Sequence, residues 1–352
     1  MRAKEWTGPA AVHCRMVFFR PLAVAAFSLL AGCSSPLQTV QPTPISNPAV
    51  ELEPQPTTLA VEGPPPLPEI TEPITGRYNM VYDIERFSSW IVAGTQAGAV
   101  VWDAERQVVV AHHEEFICNS VQVTQGAAWF GCDKSVLRWD GTGWTALLEN
   151  QENDADYHQL VIGPQGELFV NYGSTGWVYT PQGFQPTAVA TGAGAYSVVF
   201  HQGGLWSIDF MGGLQTPNGF VSIDSVGYPG RDPRRLRVDE RGQLWVEDFG
   251  AGLYRFDGQV FQHQPGVDNK GTGVAYDVSA HRLWLLHYTD GLVRTDAGVE
   301  TRIDLTDMLH MRDLHLDDDG TLWVAGWRGI ARIQVVGTQT TREDLRVPQS
   351  TE

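Results

Sequence analysis

The chain has 352 residues, with 24 Lys and Arg against 41 Asp and Glu and a formal net charge of -17. So acidic a surface excludes nucleic acid as a partner and makes anionic lipid head groups poor ones. The length would hold two ordinary domains or one large repeat fold, so organisation along the chain has to decide.

At the N-terminus Arg15 and Arg20 precede an apolar run from Leu22 to Leu30. The run is too short to span a bilayer as a helix and has the charged-then-apolar form of an export signal. It ends in Leu30-Ala31-Gly32-Cys33, which resembles the lipobox of bacterial lipoproteins. The resemblance implies removal of residues 1–32 and lipidation of Cys33, with three acyl chains (palmitate-type anchoring). More than one chain is what stable membrane attachment requires. Ser34 stands where an Asp would imply retention in the inner membrane, so the expected location is the cell envelope, lipid-anchored at the outer membrane and disulfide-permissive. Loss of residues 1–32, with four Lys/Arg and one Glu, leaves 20 basic against 40 acidic residues, a net charge of -20.

Residues 33–75 follow as a tether. Between 36 and 75 lie 11 of the 21 prolines, five Glu and no aromatic residue, a composition that cannot bury a core and stays extended. At about 3.1 Å per residue such a segment reaches on the order of 120 Å.

From residue 76 the chain repeats. An aromatic anchor recurs at Trp90, Trp129, Phe169, Trp206, Trp245, Trp284 and Trp323, in steps of 39, 40, 37, 39, 39 and 39 residues. The clearest copies are Gly242-Gln243-Leu244-Trp245-Val246 leading to Gly252-Leu253-Tyr254-Arg255, and Gly320-Thr321-Leu322-Trp323-Val324 leading to Gly329-Ile330-Ala331-Arg332. Gly or Asp turns separate short runs in which apolar and polar residues alternate, which predicts hairpin-linked strands. Four such strands per 39 residues predict an all-β, seven-bladed β-propeller of four-stranded antiparallel blades over residues 76–340, preceded by the signal peptide and the disordered Pro-rich linker. The seven anchors are expected to weld neighbouring blades. Blade 1 is complete by Val110, so the outer strand of blade 7 must come from the tail (341–352 with its flank) or from the segment 69–77.

The pattern Gly-x-Leu-Trp-Val, then Gly-Leu-x-Arg, resembles the repeats of two-component-regulator propellers, the sensor parts of some hybrid histidine kinases. The resemblance implies the fold and a ligand-sensing habit. Gly320-Thr321-Leu322-Trp323 is also similar to repeats of the streptogramin lyase family. The lipid anchor with a propeller is similar in arrangement alone to the propeller lipoprotein of the barrel assembly machinery, a family that usually has eight blades and different repeat motifs.

Cys118 and Cys132 flank the turn near Gln125 at seven residues each, so they are expected to face each other across paired strands as a disulfide. Three residues after the anchors stand Tyr172, Asp209, Asp248 and His287 on successive repeats. His158, Arg234 and Arg312 stand about 11 residues before anchors and are expected near the same rim. Together they form a candidate ligand rim at one mouth of the ring, where carboxylate, imidazole and guanidinium suit a small polar ligand better than a metal. No spacing fits zinc, and Asp317-Asp318-Asp319-Gly320 lacks the alternation of a calcium loop. No nucleophile elbow, P-loop or dinucleotide fingerprint is convincing, so no catalytic residue, metal ligand or cofactor is assigned, with a divalent cation at the mouth left as an unsupported option. The leading expectation is a membrane-anchored binding or interaction module for an envelope protein or small polar ligand, acting as a sensor or an assembly scaffold. The alternative is a propeller enzyme of the lyase or lactonase type.

Overall fold

The computed structural model describes residues 80–345 except 116, 149–158, 173, 174, 188–194, 210–212, 222, 229–231, 297, 337 and 338. The export signal, Cys33, the tether and His158 lie outside the described residues. None of the described residues forms a helix long and apolar enough to cross a membrane.

Seven four-stranded antiparallel sheets follow one another, each made of consecutive strands. From inner to outer strand, blade 1 is Val81–Phe87, Trp90–Thr95, Gly98–Asp103 and Val108–Glu114. Blade 2 is Cys118–Thr124, Ala127–Cys132, Val136–Trp139 and Trp144–Leu147, and blade 3 is Gln159–Ile162, Leu168–Tyr172, Thr175–Thr180 and Gly183–Thr187. Blade 4 comprises Ala195–His201, Gly204–Asp209, Leu214–Thr216 and Gly219–Val221. Blade 5 comprises Pro233–Val238, Leu244–Asp248, Gly252–Phe256 and Phe261–His263. Blade 6 is Gly271–Asp277, Arg282–His287, Gly291–Asp296 and Val299–Ile303, and blade 7 is Asp313–Leu316, Leu322–Gly326, Gly329–Val336 and Gln339–Leu345. The inner strands pack in a closed cycle, each on the next and the seventh on the first. The molecule is therefore the expected seven-bladed propeller.

Of the two segments open for closing the ring, the tail supplies the strand. Gln339–Leu345 pairs antiparallel with Gly329–Val336, so the ring extends to Leu345. No blade borrows a strand, and closure rests on packing of blade 1 against blade 7. There Ile84, Ile91 and Trp102 share a core with Trp323, Ile330 and Leu345.

The repeat motif is readable as strand register. Every anchor lies on the second strand of its blade, which neighbouring sheets cover on both faces, so runs such as Leu244–Asp248 and Leu322–Gly326 are buried throughout. Each anchor then packs against the following blade. Trp90 meets Trp139, Trp129 joins Leu160 and Leu168, Phe169 meets Phe200, and Trp206 joins Leu236 and Leu244. Trp245 packs with Val274 and Leu285, Trp284 with Leu314 and Leu322, and Trp323 with Ile84. Burying one such side chain stabilises a joint by roughly 2–3 kcal/mol. The smaller Phe169 leaves a narrow apolar crevice between blades 3 and 4, lined by Val161, Phe169, Val198 and Leu205.

The motif arginine is the anchor's cross-strand partner: Trp129 pairs with Arg138, Trp245 with Arg255, Trp284 with Arg294 and Trp323 with Arg332. Arg138 and Arg332 lie 5.8 and 5.5 Å from the centres of their indole rings, a cation–π spacing. The indole N–H groups of Trp245 and Trp323 donate to Asp239 Oδ2 at 3.0 Å and Asp317 Oδ2 at 2.8 Å in the preceding turn. The motif glycine opens the third strand. Gly252 and Gly291 have φ of +93° and +107°, and a Cβ there would lie 2.1 Å from Val267 O and 2.3 Å from Ile303 O. In blade 1 the register differs, because Trp90 begins its strand opposite Phe87 and Val92 takes the position that Trp245 takes in blade 5.

Cys118 and Cys132 are opposite each other in blade 2 and form the expected disulfide, both fully buried.

Candidate functional site

Antiparallel order puts the start of each inner strand, the end of each second strand and the turn after it at the same end of the ring. This end is the mouth that the rim residues were expected to line.

A β-bulge marks the start of the inner strand. The register skips one residue between Val81 and Asp83, Cys118 and Ser120, Ala195 and Ser197, Pro233 and Arg235, and Gly271 and Gly273. The skipped residues are Tyr82, Asn119, Tyr196, Arg234 and Thr272. Arg312 holds the same place in blade 7, with its N–H donated to Ala325 O at 2.9 Å. A bulge releases a residue from the pleat and re-aims it. The expected Arg234 and Arg312 are therefore one repeated position, seen from the sequence only as a spacing before the anchors.

Directly below, the first residue after the bulge faces the channel and fastens neighbouring inner strands. Asp83 Oδ2 accepts Val121 N–H at 2.6 Å, Asp313 Oδ2 accepts Ile84 N–H at 3.1 Å, Ser120 Oγ accepts Leu160 N–H at 3.0 Å and Ser197 Oγ accepts Leu236 N–H at 2.9 Å. In blade 5 this position is Arg235, which reaches across the ring to Asp313 at 2.8 Å and Asp83 at 3.5 Å. Arg237 adds contacts to Asp313 and, at 3.0 Å, to Glu247. Burial disfavours the charge on Asp313, but Arg237 and Arg235 outweigh it and hold its carboxyl down to about 2. Burial, together with the charge of Asp313, raises Asp83, and burial also raises Glu247. This ionic bridge spans the channel, so the mouth above it is a floored recess.

Asp248 and His287 stand at the mouth end of their second strands, yet both turn their polar atoms inward. Asp248 Oδ1 accepts Gly250 N–H and Ala251 N–H at 2.7 Å each, and the carboxylate also takes the Tyr228 hydroxyl and Asp232 N–H. Its exposure is 0%. His287 repeats the device: Nδ1 accepts Thr289 N–H at 3.2 Å and Asp290 N–H at 2.9 Å, and Nε2 lies 3.0 Å from Asn269 Oδ1. That pattern fixes the neutral tautomer with the proton on Nε2. Burial holds the imidazole below its ordinary range, against an opposing pull from Asp290. Both residues cap the turns that follow them. Tyr172 and Asp209 end the second strands of blades 3 and 4, and their side chains, like His158, lie outside the described residues.

One residue further on, the sequence holds what the spacing argument passed over. Phe249, Tyr288 and Trp327 each stand four residues after an anchor, the first two on the turns that Asp248 and His287 cap and Trp327 on the turn after Gly326. Their rings form a chain across three blades: Phe249 to Tyr288 at 5.0 Å, Tyr288 to His310 at 4.7 Å, and His310 to Trp327 at 4.2 Å. Arg312 lies 5.1 Å from the Tyr288 ring and 5.5 Å from the Tyr82 ring, and Arg234 lies 5.4 Å from Phe249. Arg234 also pairs with Asp232 at 2.7 Å.

Backbone bonds alternate within and between blades 5, 6 and 7 along this band. Phe249 N–H donates to Asp232 O, Lys270 N–H to Phe249 O, Tyr288 N–H to Lys270 O and Met311 N–H to Tyr288 O, all at 2.9 Å. The signal for the band was present in the sequence as an aromatic at the fourth place after each of the last four anchors, Phe210 included; Phe210 lies outside the described residues. Among the described residues no group of three His, Cys, Asp or Glu converges as a metal site.

No family model matches the sequence, and no curated protein is similar to it in sequence. Among solved structures, virginiamycin B lyase from Staphylococcus aureus is similar at a TM-score of 0.51 and 14% identity, over 65% of this chain and 84% of the lyase. A catalytically inactive histidine-to-alanine variant of that lyase with quinupristin gives a TM-score of 0.52 at 15% identity over the same shares. Kluyveromyces lactis Hsv2 is similar at a TM-score of 0.50 and 12% identity, over 76% of this chain and 99% of Hsv2. At these identities the likeness is one of fold.

Proposed function

We propose that the chain is a binding module whose recognition surface is the bulge-lined mouth of the ring, carried on a lipid anchor in the cell envelope. The observation that carries this reading is the half-buried chain of Phe249, Tyr288, His310 and Trp327 with Arg312 beside it, held by backbone bonds at a floored recess. Rigid aromatics with an adjacent guanidinium are the composition of binding hot spots. The sequence supports the anchor through Leu30–Cys33 and Ser34, and residues 33–75 would hold the ring away from an outer-membrane surface. The ligand-sensing habit of two-component-regulator propellers and the scaffold role of barrel-assembly lipoproteins are both binding functions, and the module serves either.

The lyase-type alternative places an enzyme site at the same mouth. His287, its best candidate base, has both ring nitrogens engaged in its own turn and to Asn269, which favours binding over catalysis. A photo-cross-linking amino acid at Tyr288, on the mouth, should capture a specific envelope component or small ligand in cells. The same amino acid at exposed Phe220, on the outer strand of blade 4, serves as the control. Equal capture at both positions would overturn the assignment of the mouth.

A further inference from the structure

Arg312 differs from the arginines that brace the ring through ion pairs. Arg235, Arg237, Arg282, Arg294 and Arg342 each hold a carboxylate oxygen within 3.0 Å. The guanidinium of Arg312 has no carboxylate within ion-pair distance among the described residues, and its buried Nε meets no acceptor. It is kept in place by the faces of Tyr82 and Tyr288, one from each neighbouring blade, just ahead of the inner strand of blade 7.

The unsatisfied atoms around it point the same way. Trp327 Nε1 is buried without a partner, as are Thr272 Oγ1 and His310 Nδ1. An indole N–H can only donate, a guanidinium N–H can only donate, and a hydroxyl can donate. Buried donors without acceptors are costly, and in native proteins they call for an explanation. Of these, Arg312, His310 and Trp327 belong to the mouth end of blade 7, next to the Tyr288 ring, and Thr272 to the bulge of blade 6, in a protein whose net charge is -17. A site that keeps a bare cation in such a field is built for an anion.

We infer that the mouth takes a small carboxylate with a flat, apolar body. The carboxylate accepts from the Arg312 guanidinium, and the body lies along Tyr288 and Phe249. This rests on the reading of the mouth as a binding surface and adds the chemical class of what it binds. A guanidinium is suited to a carboxylate because its fork offers two parallel N–H donors.

The test uses the full chain and two matched probe pairs, indole-3-acetate with indole-3-acetamide and phenylacetate with phenylacetamide, measured by titration calorimetry. Each acid should bind saturably and roughly 10- to 100-fold more tightly than its amide, the difference between a charged and a neutral acceptor at Arg312. Arg312→Met keeps the apolar stem between the tyrosines and should abolish that preference. Arg312→Lys keeps the charge without the fork, should retain part of the preference, and serves if the Met variant does not fold. Equal binding of acid and amide would overturn the anion site and leave the binding surface standing. Acid binding undiminished in Arg312→Met would place the site elsewhere. If no probe binds, the carboxylate inference falls, and capture at Tyr288 decides separately whether the mouth binds anything.

Discussion

Replacing Asp248 by Ala separates a turn cap from a ligand group. Among the described residues the carboxylate accepts from the Tyr228 hydroxyl and the N–H groups of Asp232, Gly250 and Ala251. Tyr228 is 1% exposed and Ala251 7%, so those two donors lose their acceptor with no access to water, while Asp232 and Gly250 can turn to solvent. At about 1–3 kcal/mol for each of the two stranded buried donors, Asp248→Ala should cost about 2–6 kcal/mol. With a urea slope of about 3 kcal/mol per M, the unfolding midpoint falls by roughly 0.7–2 M. Asp248→Asn keeps one oxygen as acceptor and should lose about half as much. Equilibrium urea unfolding followed by tryptophan fluorescence reads both. If Asp248→Ala stays within about 1 kcal/mol of the parent but loses capture at Tyr288, Asp248 is a ligand group and the structural account of it is wrong.

The ring closure should depend on pH. Burial disfavours charge on His315, but Glu85 of blade 1 at 2.9 Å and Asp317 at 3.3 Å outweigh it and push the imidazole up to about 10. The folded value lies above the ordinary 6.5, so the stabilisation is complete below about pH 6.5 and is lost as pH rises toward 10. It is on the order of a few kcal/mol, and thermal melts at pH 6 and 9.5 should show a fall that His315→Gln flattens; an unchanged slope in that variant would remove His315 from the closure. For the disulfide, denaturation without reductant should expose no thiol from Cys118 or Cys132. Replacing both by Ala should cost up to about 3 kcal/mol, the entropic value for a 15-residue loop, and free thiols in the unreduced protein would contradict the pairing.

Much of the architecture was legible because a propeller blade is a local object. The anchors, the turn residues and, in four of the blades, the glycine that opens the third strand sit within 39 residues of one another, so their repetition displays strand number, order and blade count without any long-range contact. The Cys118–Cys132 pairing was legible for the same reason, being one rung of a hairpin. The register of blade 1 was less so, since Trp90 imitates an anchor two positions early and only the pairing Phe87 to Trp90 exposes the shift. Closure by the tail also escaped, because both candidate segments offered strand-forming residues and the choice depends on which edge they can reach.

The site divides along the same line. Arg234 and Arg312 were singled out by spacing, and the bulge that makes that spacing meaningful is visible only in the ladder. Asp248 and His287 looked as available as Arg312, yet each turns its acceptors onto two N–H groups of its own turn, while Arg312 finds only ring faces. The sequence by itself determined the ring: seven local units, the residues that pack them and the disulfide within one. Only the tertiary structure decided which polar groups at its mouth remain open to a ligand, because a polar atom's freedom depends on the donors and acceptors brought to it from other blades.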